Sequence, residues 1–194
     1  MKHPPIILAS ASPRRVELLR QIIPEFGVAT SYAHEVHDAS LGARRLGETN
    51  AQRKAFLVAE RYPDYLVLGA DTVVWLDGEP LGKPVDLAEA RAMLEKLSGR
   101  VHEVVTGVCL IHQNAARTRI FSEGTRVKFR ELGPETITRY LDKVHTLDKA
   151  GGYALQEHGE LIIECTEGSW SNVVGLPVEA LASALEAWGE THHG

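Results

Sequence analysis

Cysteine is nearly absent from this chain of 194 residues: Cys109 and Cys165 are the only two, each inside an apolar, β-branched run. Such a pair excludes a disulfide scaffold and reads as two buried, reduced thiols rather than as metal ligands or redox centres. An excess of positive charge is also lacking. The 21 lysines and arginines are outnumbered by 26 aspartates and glutamates, for a formal charge of −5, which argues against a partner bound by bulk neutralisation of nucleic-acid phosphates. No apolar run approaches the roughly 18 residues of a membrane helix, and no basic-then-apolar leader opens the chain. No membrane partner is therefore expected, and a cytoplasmic enzyme or binding protein is. Three common signatures are missing as well: the GxxxxGK[ST] phosphate loop, the GxGxxG dinucleotide fingerprint and the GxSxG nucleophile elbow.

What is present is an ordinary globular balance of 44% apolar and 24% charged residues, in a chain long enough to bury about 70% of its unfolded surface around one core. Short apolar runs alternate with amphipathic stretches and no repeat is visible, which predicts an α/β fold around a mixed sheet. A strand over Ile6 to Ala9 passes through Ser10-Ala11-Ser12 into a helix, with Ser12 as N-cap, Pro13 in the first turn and Val16, Leu19 and Ile23 on one face. A second helix is expected over Thr49 to Arg61, with Tyr62 on its inner face. A strand over Tyr65 to Ala70 follows, then an extended Val73 to Trp75 and a hairpin turn at Asp77-Gly78. Asp86 and Glu89 form a capping box for a third helix whose stripe is Leu87, Ala90, Leu94 and Leu97. Strands over Glu103 to Ile111 and Arg119 to Phe129, a helix from Pro134 to about Val144, a strand near Leu161 to Thr166 and a helix near Val178 to Trp188 complete the reading.

Chemistry is sought where residue choice works against local structure. Arg14 and Arg15 stand in the first turn of the first helix, at the positive end of the macrodipole among unpaired N–H groups. With Ser10 and Ser12 they suit a bound polyphosphate; two solvated surface arginines are the equal alternative. Asp71 is expected at the carboxyl end of its strand, the edge at which open α/β sheets bind ligands, although a turn or cap role is the commoner fate of such an aspartate. Lys83 lies between Gly82 and Pro84 on a loop, whereas Lys54, in mid-helix, reads as solvated. Glycines 151 and 152 allow positive φ or close approach to a ligand. Gln156 carries the donor and acceptor that match a uracil or thymine edge. In the segment His34 to Asp38, Glu35 is a better candidate than either histidine, as a hard oxygen donor for Mg²⁺ or Mn²⁺. The stretch Gly168 to Pro177 reads as turns.

Taken together, Leu8 to Arg15, Arg53-Lys54-Ala55, Gly69 to Val74, Gly82-Lys83-Pro84, Leu97-Ser98-Gly99, Asp148 to Gly151 and Gly168 to Pro177 resemble the Maf family of nucleoside triphosphate pyrophosphatases, in order and along nearly the whole chain. The resemblance implies one domain with two lobes about a central cleft, a mixed-sheet α/β fold similar to inosine triphosphate pyrophosphatases, and a homodimer. It implies hydrolysis between the α and β phosphates with a divalent metal, and phosphate binding by Ser10, Ser12, Arg14, Arg15, Lys54 and Lys83. Asp71 would be general base or metal ligand, with Glu35 helping to hold the metal. Arg14, Thr72 and Gln156 stand at the positions that separate dTTP and UTP enzymes from those acting on 7-methyl-GTP, and match the former. Glu157 departs from the small residue expected after the glutamine. A nucleotide-binding regulator of cell division, or a generic phosphatase, is the alternative from another class.

Overall fold

The computed structural model describes residues 3–190. Its framework is a seven-stranded sheet in the order β2-β1-β3-β5-β6-β7, with β4 paired to β3. Strand β1 (Ile6–Leu8) lies parallel to both β2 (Gly27–Val28) and β3 (Leu66–Leu76). Strands β5 (Val101–His112), β6 (Arg117–Phe129) and β7 (Ile163–Glu167) add antiparallel ladders. The mixed sheet is thus as expected, but β3 is one strand of 11 residues. Asp71 lies at its centre, opposite Gly107 of β5, and not at its carboxyl end. The strand continues because Thr72 to Trp75 keep a full antiparallel ladder with β5, whereas β1 stops at Leu8. A notch opens beside Asp71 where β1 has ended and β3 runs on.

Helix α1 (Pro13–Arg20) and the terminal helix α6 (Val178–Glu190) cover one face of the sheet, packing Leu18, Leu19, Leu181, Leu185 and Trp188 against Leu66, Leu68 and Leu110. Helix α2 (Gly42–Ala59) covers the other face through Ala51, Ala55 and Val58, against Ile7, Val67 and Cys109. Buried from both sides, Leu66 to Ala70 reads as one continuous apolar run. At the far end of the sheet, α3 (Leu87–Leu97) and α4 (Pro134–Leu141) close a second core on Val104, Val127 and Phe129. Asp77 and Gly78, both at positive φ, make the hairpin turn into β4 (Glu79–Leu81). Asp86 accepts from the Glu89 N–H, while the Glu89 carboxylate accepts from the Val85 N–H.

Several local expectations are corrected. Helix α2 begins seven residues early, after a 3₁₀ turn (Ala39–Leu41) whose cap is the Asp38 carboxylate accepting from the Ser40 N–H. Leu87 and Tyr62 are exposed, because each sits just beyond the stripe that meets the core. Cys165 lies exposed on β7, while Cys109 is buried and its thiol pushed up to about 12 by burial. The turn-rich stretch contains a short helix, α5 (Trp170–Val174), capped by the Ser169 hydroxyl, which accepts from the Asn172 N–H. No helix among the described residues is long and apolar enough to cross a membrane.

Candidate active site

A cleft of about 670 Å³ opens at the notch beside Asp71. Its walls carry all ten residues singled out above: Ser10, Ser12, Arg14, Arg15, Glu35, Lys54, Asp71, Thr72, Lys83 and Gln156. Along β3, Val67, Gly69 and Asp71 alternate onto the α2 face. A side chain at Gly69 or Gly107 would overlap the α2 backbone, so the two glycines let the helix lie directly on the sheet. That close approach brings the helix side chains to Asp71.

Lys54 is accordingly not a solvated helix lysine. Its side chain is 14% exposed, and its Nζ donates to Asp71 Oδ1 at 2.5 Å and to Glu35 Oε1 at 2.6 Å. One ammonium thus holds two carboxylates that would otherwise repel. Burial pushes the Glu35 carboxyl up, but the Lys54 hydrogen bond and charge, with smaller contributions from Lys83 and His37, hold it below its ordinary value. The other Asp71 oxygen accepts from Asn50 Nδ2 at 3.2 Å. Asn50 was missed by sequence reasoning; its signal is a polar residue one helical turn from both Leu46 and Lys54 on a stripe that proves buried.

On the opposite wall the turn from β1 into α1 presents Ser10 and Ser12. Ser10 Oγ accepts from the Ser12 N–H at 3.2 Å, and the Ser12 hydroxyl, expected as helix cap, makes no capping bond. Arg15 donates through Nε to the Gly175 carbonyl, through Nη1 to Ser10 Oγ and through Nη2 to Thr72 Oγ1. Among the described residues, one N–H of each terminal nitrogen is left over. Burial lowers the guanidinium pKa, opposed chiefly by the charge of Asp71. Thr72 Oγ1 also meets Thr106 Oγ1 at 3.0 Å, and Thr106 is fixed by the buried Asn172 of α5.

Arg14 reaches across the cleft, donating to Asp148 Oδ2 at 2.9 Å. Asp148 in turn accepts from the buried Lys149. Partial burial raises the Asp148 carboxyl, but Lys149 and Arg14 hold it down to about 2. Glu157, the departure noted above, sits 3.4 Å from Lys149 Nζ and so belongs to this charge network. Gly151 and Gly152 both adopt positive φ, and the Gly151 N–H donates to the Gly82 carbonyl, pinning the loop that carries Lys83. Gln156 is exposed on the rim.

Guanidinium and ammonium groups therefore converge on a cleft whose floor holds two carboxylates. A family model described as Maf-like protein matches residues 5–188. The chain belongs to the Maf-like protein family. Among the relatives of this Maf-like chain, a protein of Akkermansia muciniphila named dTTP/UTP pyrophosphatase is 45% identical over 186 residues, covering 96% of this chain and 97% of the relative. One of the same name from Desulforamulus reducens is 43% identical over 185 residues, covering 95% and 97%. The fold is also that of the Ham1 protein of Staphylococcus aureus, with a TM-score of 0.56 over 94% of this chain and 98% of the other at 17% identity.

Proposed function

We propose that this Maf-like chain is a nucleoside triphosphate pyrophosphatase that hydrolyses dTTP and UTP, or modified pyrimidine triphosphates, to the monophosphate and pyrophosphate. The observation that carries the reading is the Asp71–Lys54–Glu35 triad on the floor of a cleft ringed by Arg14, Arg15 and Lys83. Binding a polyanion calls for the cations alone; two carboxylates beside it are costly unless they do chemistry. The names of its relatives support the pyrimidine preference.

The triphosphate, with about four negative charges, lies along Arg14, Arg15, Lys54 and Lys83, and its oxygens accept from the Ser10 and Ser12 hydroxyls and the free N–H groups that open α1. The cations neutralise charge that builds on the leaving pyrophosphate. Water attacks in line at the α-phosphorus, its oxygen forming the new P–O bond while the bond to the β-bridging oxygen breaks. Asp71 accepts the proton of that water. Gln156 pairs through its amide with the O4 and N3–H edge of the base, and Arg14 and Thr72 shape the base-side wall.

A divalent cation fits the same floor. No group of three or more His, Cys, Asp or Glu is gathered among the described residues, yet Mg²⁺ is commonly held by one or two carboxylates with the substrate phosphates completing its shell. Glu35 and Asp71 supply that pair. When bound, Mg²⁺ or Mn²⁺ would neutralise phosphate charge and acidify the attacking water. A single two-lobed domain acting as a homodimer in the cytoplasm is part of the same reading.

The test is a panel of canonical and modified triphosphates, 7-methyl-GTP included, assayed for pyrophosphate release. Pyrimidine triphosphates are expected to be turned over fastest. Preferential turnover of 7-methyl-GTP would overturn the base assignment, and orthophosphate as product would favour a generic phosphatase.

A further inference from the structure

Asn50 is 3% exposed and makes three hydrogen bonds, all with segments distant in the chain. Its Oδ1 accepts from the Val36 N–H at 2.7 Å, and its Nδ2 donates to the Val36 carbonyl at 3.1 Å and to Asp71 Oδ2 at 3.2 Å. The orientation of the amide follows from the partners, since an N–H requires an acceptor and two carbonyl-type oxygens require the two amide hydrogens. Both polar backbone groups of Val36 are therefore tied to one side chain, as they would be to a neighbouring strand.

The consequence lies one residue away. Val36 follows Glu35, and no strand or helix spans residues 29–38, so no ladder fixes the backbone that carries that carboxylate. A closed ring results: Asn50 grips Val36 and Asp71, Lys54 grips Glu35 and Asp71, and Asn50 and Lys54 stand one turn apart on the rigid helix α2. The Lys54 half of the ring is long, flexible and charged, and on the reading above it turns toward phosphate when the nucleotide arrives. The Asn50 half is short and buried, so it persists.

We propose that Asn50 is a positioning residue: it holds the Glu35 loop and the Asp71 carboxylate in register, so that the two acids stay matched when Lys54 lets go. It rests on the assignment of this cleft to triphosphate hydrolysis. Both jobs call for a side chain that accepts and donates at once. Leucine would leave the Val36 N–H and C=O unpaired in a buried place. Aspartate keeps the acceptor for the Val36 N–H and loses both donated bonds. Asn50 touches neither the nucleotide nor the attacking water, so its loss acts on turnover through Glu35 and Asp71 rather than on nucleotide affinity.

The experiment compares wild type, Asn50→Ala and the near-isosteric Asn50→Asp as full-length purified proteins. Three quantities are read: kcat and KM for pyrophosphate release from dTTP, the thermal midpoint, and hydrogen exchange of the Val36 amide without nucleotide. The expected result for both variants is a kcat lowered 10- to 100-fold with KM changed less than threefold. The Val36 amide exchanges at least tenfold faster in Asn50→Ala and by a smaller factor in Asn50→Asp, which keeps the acceptor. Wild-type kcat, a change confined to KM, or a loss of rate no larger than the loss of folded protein in Asn50→Asp would overturn the proposal, as would unchanged Val36 exchange in Asn50→Ala. A wild type that releases no pyrophosphate from any nucleotide would instead overturn the functional reading, with Val36 exchange still deciding whether the clamp exists.

Discussion

Replacing Lys54 by methionine removes the one cation between Asp71 and Glu35 while keeping most of the apolar stem. Breaking a buried ion pair from one side costs roughly 3–5 kcal/mol, because a charge is left unpaired in low dielectric. Here the Lys54 and Asp71 side chains are 14% and 10% exposed but Glu35 is 36% exposed; solvent screening of Glu35 reduces the expected cost to about 2–3 kcal/mol at pH 8. For a chain of this length that is a fall of about 5–10 °C in thermal midpoint. The pH dependence gives the sharper signature. In the wild type the Glu35 carboxyl is held below its ordinary value, so its contribution is present above the unfolded pKa of about 4.3 and is lost as pH falls. Without Lys54, the upward push of burial is opposed only by the weaker charges of Lys83 and His37, and the folded value rises above the unfolded one. The contribution then reverses, present at low pH and lost as pH rises. Melting curves at pH 5 and pH 8 should therefore show a smaller deficit for Lys54→Met at pH 5. A deficit under 2 °C at pH 8, or one as large at pH 5, would refute the assignment of Lys54 as the counter-ion of both acids.

His102 is buried, donates or accepts one bond with the Tyr153 hydroxyl, and is pushed down to about 4 by burial. Its unfolded pKa is near 6.5, so the unfolded state takes up the proton first on acidification. Urea unfolding should show stability falling by about 2 kcal/mol between pH 7 and pH 5, most of it absent in His102→Phe. Asp148→Asn keeps an acceptor oxygen but removes the negative charge facing Arg14 in a partly exposed pair, while Glu157 still faces Lys149, so the midpoint should move by less than about 2 °C. Because Asp148 competes with phosphate for that guanidinium, the KM for dTTP should fall severalfold; an unchanged KM would show that the pair does not oppose substrate. Gly107→Ala places a methyl group on the Gly47–Glu48 backbone of α2, and helix and strand cannot separate without opening the core. A loss of at least about 3 kcal/mol by denaturant titration is expected, at the severe end for overpacking. Gln156→Glu should lower the ratio of dTTP to 7-methyl-GTP turnover at least tenfold, and an unchanged ratio would remove Gln156 from base selection.

Local rules placed the first strand and the turn into α1 well, because Pro13 and the spacing of Leu19 mark the helix within a few residues, even though Ser12 holds the N-cap position without a side-chain bond. They placed Asp71 wrongly within its strand. The parallel-sheet rule about carboxyl edges assumes that a strand ends there, and only the ladder with β5, formed by residues 28 to 34 positions away, carries β3 onward. Lys54 is the clearest case of tertiary override. Its helical context suggests solvent, yet Gly69 and Gly107 let α2 lie against the sheet and bury it beside Asp71. Gly47 serves the same contact from the helix side, since its backbone lies directly on Gly107 of β5. Asn50 left no motif at all, because its partners, Val36 and Asp71, are joined to it only by the fold. Arg14 and Arg15 stand against a helix dipole, which suits a phosphate no better than a solvated surface does until the fold brings them to one cleft with Lys54 and Lys83.

In the proposed reaction Asp71, held between Lys54 and Asn50, takes the proton of the water that splits a pyrimidine triphosphate between its α and β phosphates. Its most direct measurement is the product analysis of dTTP incubated with Mg²⁺ or Mn²⁺ and either wild type or Asp71→Asn, a change that keeps the shape of the side chain and removes its negative charge. Equal amounts of thymidine monophosphate and pyrophosphate are expected from the wild type, and at least a 100-fold lower rate from the variant. Orthophosphate in place of pyrophosphate, or near-normal hydrolysis by Asp71→Asn, would contradict the proposed reaction.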